Sequence, residues 1–145
     1  MEVIYLKVIV ALDDNLGMMF NHRRQSRDRI LISDIAEMVE GKKIYIDKYS
    51  EILFSNVPCQ YIISSNPLEE TGTDDYCFIE QYHLSNYIDK INELIIYRWN
   101  RTYPHDFDFD IDLENSNFKI TSTTEFKGSS HDKITREVYI KWKED

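Results

Sequence analysis

Val3-Ile4-Tyr5-Leu6-Lys7-Val8-Ile9-Val10-Ala11-Leu12-Asp13-Asp14-Asn15-Leu16-Gly17 is the stretch whose reading decides the fold. Its first part is β-branched and mostly apolar, too short to span a bilayer and too continuous for a strand with one wet face. It reads as the central strand of a sheet covered on both sides. Asp13, Asp14 and Asn15 end the ladder because their side chains favour turns, and Gly17 tolerates a left-handed backbone. A basic loop follows, His22-Arg23-Arg24-Gln25-Ser26-Arg27-Asp28-Arg29, delivered to one end of the sheet.

Beyond that loop, Leu31, Ile35 and Met38 recur at helical spacing, with Asp28 as the cap and Gly41 as the stop. Lys43 to Ile46 reads as a short strand, and Asp47 or Ser50 caps a brief helix ending near Phe54. Gln60 to Ser64 is a strand closed by Asn66-Pro67. The acidic link from Glu69 to Asp75 leads to another strand, Tyr76 to Ile79. Leu84 to Ile91 reads as a helix and Glu93 to Trp99 as a buried strand. Phe107-Asp108-Phe109-Asp110-Ile111-Asp112-Leu113 alternates at period two, one face apolar and one acidic. Phe118 to Phe126 and Thr135 to Trp142 read as a closing pair of strands around the loop Lys127 to Lys133.

Strands alternating with helices early and antiparallel strands late indicate a mixed α/β sheet in a single domain over residues 1–145, with flanking helices near 28–39 and 84–91. The expected core includes Val8, Val10, Leu31, Ile35, Ile44, Ile46, Ile62, Phe78, Ile95, Phe107, Phe109 and Val138. No internal repeat or low-complexity segment interrupts it.

The 145 residues suffice for a real core, and four glycines, three prolines and 42% hydrophobic residues exclude a disordered chain. A formal charge of −9 argues against non-specific nucleic-acid binding over the whole surface, while leaving room for a local basic site. Cys59 and Cys77 lack metal-ligand spacing and read as reduced thiols, which points to the cytoplasm. With no leader or membrane-length run to be read, a membrane partner is not expected, and the sequon Asn100-Arg101-Thr102 is expected to stay unmodified.

The order and spacing of these elements resemble dihydrofolate reductase across nearly the whole chain. Val8 to Gly17 is similar to that family's first strand and the start of its mobile active-site loop. Leu94-Ile95-Ile96-Tyr97, followed by His105 to Leu113, resembles its late strand and the "DTFFPEIDL"-like segment. Phe118-Lys119-Ile120-Thr121-Ser122 through Phe126-Lys127 resembles its "WKLVS…FK" hairpin. The resemblance implies the fold. The family's chemistry would need residues that this chain replaces. Leu31 falls where the family keeps the acid that assists pteridine protonation, and an apolar side chain cannot relay a proton. Asp28 and Asp34 lie one turn to either side as shifted candidates. The loop tryptophan falls at Ser26, and the basic anchor of the folate carboxylate near Pro58, which carries no charge.

On the cofactor side the family's "GRKT" becomes Asp47-Lys48-Tyr49-Ser50, and its paired glycines become Glu80-Gln81. Glu80 would repel a pyrophosphate and side chains would block its approach. The link from Leu68 to Tyr76 is shorter than the family's, in the region of the adenosine half. The resemblance thus implies a diverged, shortened relative without reductase chemistry, and no cofactor is expected. A divergent reductase is the remaining alternative within the family.

All seven arginines fall in three places: Arg23, Arg24, Arg27 and Arg29; Arg98 and Arg101; and Arg136. In the family's topology the loops after the first strand, after Trp99 and after Phe126 meet at one edge. That edge would collect Arg23, Arg24, Gln25, Arg27, Arg101, His105, Ser129, Ser130, His131 and Lys133. Arginine forks suit a phosphate or carboxylate, so a small anionic ligand or a phosphate-bearing partner is expected there. The same arginines could instead pair with Asp106, Asp108 and Asp132 and simply fix the loops. As an alternative, His131 and His105, with His22 nearby, could act as acid and base in a ribonuclease-type hydrolase, making RNA a possible partner. Asp106, Asp108, Asp110 and Asp112 fit a strand's solvent face better than a calcium site.

Overall fold

A computed structural model describes residues 5–142. Val3 and Ile4, expected in the first strand, lie outside the described residues. The strand that is described, β1 (Leu6–Leu12), is fourth of seven in the main sheet. The order is β5 (Gln60–Ile63), β4 (Lys43–Ile46), β6 (Tyr76–Phe78), β1, β7 (Ile91–Arg98), β10 (Ile134–Lys141) and β9 (Phe118–Phe126). The first five run parallel, and β10 and β9 close the sheet antiparallel. Central placement follows from the apolar content of β1, since a strand buried on both faces needs two covers.

Those covers differ. Leu6, Val8, Val10 and Leu12 point into one core with Met18, Met19, Phe109 and Ile111. Ile9 and Ala11 point into the other, against Leu31, Ile32 and Ile35 of α1 (Arg29–Met38) and Leu53 and Phe54 of α2 (Glu51–Phe54). A third helical turn, α3 (Pro67–Glu70), fills the short link before β6.

Four expectations need correction. Leu84 to Ile91 is a single 3-10 turn over Ser85–Tyr87, and Ile91 already begins β7. Asp110 accepts from the Leu84 and Ser85 N–H groups, which favours a capped turn over a longer helix. The segment from Phe107 to Leu113 forms a ladder only at β8 (Phe107–Asp108). Its alternation persists without a partner strand because Phe109 and Ile111 are buried against the sheet.

The basic loop is partly a ladder: β2 (Gly17–Phe20) joins β3 (Arg23–Arg24) and β8 in a second, three-stranded sheet. Finally, Ile62, Phe107 and Val138 are only half-buried. Ile62 sits on the edge strand β5, and Phe107 stacks on the exposed His83 ring at 4.2 Å. Trp142 lies past the end of β10 and is 54% exposed.

Gly128 occupies a position where backbone must approach a fixed group. A Cβ there would meet Asp28 Cγ and Ile134 Cδ1, both at 2.8 Å, and would collide with the Asp28 carboxylate itself. Asp28 is too heavily bonded to move aside. Gly128→Ala is therefore expected to cost about 1–3 kcal/mol of stability as overpacking. Gly41→Ala is the comparison, since a Cβ there meets no atom within 4 Å and only its φ of +81° strains it. Equal losses from the two in urea titrations would contradict this account.

Candidate functional site at the loop edge

Hydrogen bonds join the three loops beyond the carboxyl ends of β1, β7 and β9. Asp14 N–H donates to Arg101 O at 2.9 Å, Ser130 Oγ to Arg27 O at 3.0 Å, and Asn100 Nδ2 to Lys133 O at 3.1 Å. Asp13, fully buried, accepts from Gly17 N–H at 2.7 Å, Asn15 N–H at 2.9 Å, Tyr103 N–H at 3.0 Å and Gln25 Nε2 at 3.2 Å. Burial raises its pKa, and the backbone donors outweigh that and hold it below the ordinary carboxylate range.

At the centre of the edge stands Asp28. It caps α1 by accepting from Ile30 and Leu31 N–H. It also accepts from Ser129 N–H at 2.9 Å, Ser130 N–H at 2.8 Å and His131 Nδ1 at 2.9 Å. Burial pushes this carboxyl up, but the Ser129, Ser130 and Leu31 N–H groups and His131 bring it far below the usual range. His131, 4% exposed, stacks on Trp99 at 4.5 Å. Its Nε2 lies 2.8 Å from Tyr103 Oη and 3.1 Å from Ser26 Oγ.

The basic side chains do not form one cluster. Arg24 is committed to Glu80, with Nε at 2.8 Å and Nη2 at 3.0 Å from its two oxygens, and lies over the Tyr49 ring at 4.3 Å. Ser50 Oγ donates to the same carboxylate at 2.6 Å. Gln81 Nε2 reaches Asp47 at 2.7 Å, so the two segments Asp47–Ser50 and Glu80–Gln81 are knitted together. Burial lowers the Arg24 pKa, and the Glu80 contact overrides this and raises it.

Gln25 is held by Asp13 and Pro104 O, and Ser129 and Ser130 serve Asp28. Lys133 makes an exposed pair with Glu125 at 3.5 Å. His105 pairs with Asp108 at 2.5 Å, and that bond raises its pKa. His105 and His131 share no partner. Among the described residues, Arg23, Arg27, Arg29 and Arg101 make no ion pair.

Two clefts receive three of the four arginines that make no ion pair. One, of about 430 Å³, holds Arg101 and Lys133 together with Asp14 and Asp132, so its charges offset one another. The other, of about 470 Å³, runs between α1 and α2 and is lined by Arg27, Arg29, Ile30, Ile52, Leu53 and Val57 among others. Ile30 and Ile52 are 43% and 57% exposed, an apolar floor beneath two free guanidiniums. Arg29 and this apolar wall were not singled out from sequence, because only the helix pair brings them together.

The four alternating aspartates are each occupied. Asp106 accepts from Asn21 N–H, Asp108 pairs with His105, Asp110 caps the Leu84 turn and Asp112 accepts from Glu114 N–H. Among the described residues, no group of three or more potential metal ligands comes together, and no helix is long and apolar enough to cross a membrane.

The sheet order and its placement of the three loops can now be set beside known proteins. A dihydrofolate reductase from Enterococcus faecalis, solved with NADP(H) and RAB-propyl, superimposes with a TM-score of 0.65 at 13% identity, over 94% of this chain and 95% of that one. This chain has the dihydrofolate reductase fold. No protein-family model and no curated protein sequence matches it. Leu31, which the resemblance aligns with the family's proton-relaying acid, is buried on α1. Asp28 is consumed as a hub, and Asp34 accepts from Tyr97 Oη at 2.6 Å and Arg136 Nη1 at 2.7 Å.

Proposed function

We propose that this dihydrofolate-reductase-fold protein is a binding module for an amphipathic anion and does not reduce dihydrofolate with NADPH. The single observation that carries the reading is the cleft between α1 and α2, where Arg27 and Arg29, which make no ion pair among the described residues, share the lining with Ile30, Ile52 and Val57. A carboxylate, sulfonate or phosphate on an apolar body would satisfy both walls. Pro58, which follows Val57 on one wall, has no charge to offer, and the arginines supply it from the opposite wall.

The negative half rests on fit. The residues present do not suit a dinucleotide: Glu80 and Gln81 fill the backbone approach, and Glu80 is held in place by Arg24 and Ser50. An NADPH pyrophosphate would have to displace a buried, bonded carboxylate. The hydrolase reading with His131 and His105 as an acid–base pair has less support, because the two rings have separate partners.

Anilinonaphthalene sulfonate supplies a probe with an apolar body and one fixed charge. Saturable fluorescence enhancement by the folded protein is expected, weakening as salt rises. Arg27→Ala and Arg29→Ala should each weaken it about three- to tenfold, since both guanidiniums are exposed and screening removes part of a charge-assisted bond. Arg101→Ala should leave it unchanged. Equal losses from all three variants, or none, would overturn the placement of the site. Calorimetry with NADPH should show no heat. Micromolar NADPH affinity with folate turnover would overturn the negative half.

A further inference from the structure

The hydrogen bonds around His131 do more than tie loops together. Asp28 Oδ2 lies 2.9 Å from Nδ1, and Ser26 Oγ lies 3.1 Å from Nε2 on the far side of the ring. An ionised carboxylate only accepts, so Nδ1 carries the proton facing Asp28, which leaves Nε2 as the nitrogen placed to accept from Ser26. Hydroxyl, imidazole and carboxylate in that sequence are a nucleophile, its base and the group that orients the base. The ring is fixed further by its stack on Trp99. Ser26 also lines a recess bounded by Met18, Leu31, Phe78 and Trp99, with about 20 Å³ of free space, room for one methyl-sized group.

From this geometry we infer that Ser26 is an activated nucleophile, with His131 as its base and Asp28 as the orienting carboxylate, acting on small acetyl esters. Oγ bonds to the carbonyl carbon as its proton passes to His131 Nε2. The tetrahedral intermediate expels the alcohol, which takes that proton, and leaves acetyl-Ser26. Water then attacks the acyl carbon, its proton going to Nε2, and acetate departs as the Ser26 hydroxyl re-forms. The small free space in the recess favours an acetyl group over a butyryl group. Tyr103 Oη, 2.8 Å from Nε2, competes with Ser26 for the one lone pair, so it restrains the nucleophile in the resting protein. Ser26 and His131 do not line the anion cleft, although Asp28 borders it.

The full chain should be incubated with p-nitrophenyl acetate and p-nitrophenyl butyrate, with product release followed by absorbance and the adduct mapped by peptide mass spectrometry. An acetyl group on Ser26, and preference for acetate over butyrate, are expected. Ser26→Ala removes only one of the contacts to His131 and should melt near the wild type. It should lose the adduct and lower acetate turnover at least about a hundredfold, the contribution of a positioned base. Tyr103→Phe should raise turnover severalfold by leaving Nε2 to Ser26 alone. Acetylation confined to lysines, unchanged turnover in Ser26→Ala, or a Tyr103→Phe rate as low as that of Ser26→Ala would overturn the assignment.

Discussion

Asp28→Ala is expected to lower the free energy of unfolding by about 3–5 kcal/mol, the scale of leaving one member of a buried charged network without its partner. Asp28 serves three elements at once: the first turn of α1 through Ile30 and Leu31 N–H, the loop 128–131 through Ser129 and Ser130 N–H, and the His131 ring. Its truncation orphans these donors at a position with little access to water, since Asp28 is 3% exposed. Asp28→Ser should recover only the helix cap, about 1 kcal/mol. Urea titration of the three proteins at neutral pH measures this directly, and a loss near 1 kcal/mol for Asp28→Ala would show that the loop contacts add nothing.

The same carboxylate gives stability a pH dependence of defined sign. Its folded pKa is depressed far below the unfolded value of about 3.9. The stabilisation is therefore complete above that unfolded value and is lost as pH falls below it toward the folded one. Asp13, depressed for similar reasons, adds to the slope in the same window. Acid titration of Asp28→Asn should show a flatter loss of stability below about pH 4 than the wild type.

Arg24→Ala is expected to cost about 3–5 kcal/mol, because Glu80 would be left as a buried carboxylate with only Ser50 Oγ as partner. Glu80→Ala should cost less. The Arg24 side chain is 17% exposed against 8% for Glu80, and it keeps its bond to Tyr49 O at 3.1 Å and its place over the Tyr49 ring. The paired replacement Arg24→Met with Glu80→Leu should fall within about 1 kcal/mol of the wild type or exceed it, as buried ion pairs replaced by apolar groups often do. The double-mutant cycle isolates the coupling. If Arg24→Ala instead leaves stability intact and weakens anilinonaphthalene sulfonate binding, Arg24 belongs to a ligand site and its pairing with Glu80 is incidental.

These effects bear on how much of the site could be read in advance. The candidate residues are gathered from three loops, but their roles differ by partner. Arg24, Ser129, Ser130 and Gln25 look alike in sequence to the unpaired Arg27 and Arg101, being polar groups in polar loops. Pairing depends on what stands opposite, and Glu80 lies 56 residues from Arg24. Asp28 was legible as a helix cap, because capping is a local event between neighbours. Its service to Ser129, Ser130 and His131, about a hundred residues away, was not.

By itself the sequence determined the two-sided burial of β1, the apolar stripe of α1 and the alternation from Phe107 to Leu113. Each is a periodic pattern of side chains that must leave water, and that requirement holds whatever the neighbours are. Tertiary structure alone decided that the segment after Leu84 is a capped turn, that Arg23–Arg24 of the basic loop pairs with β2, and that Ser26 faces His131. In the first and last of these a partner distant in sequence selects among local conformations of similar energy, and a polar side chain gains its direction only when that partner is in place.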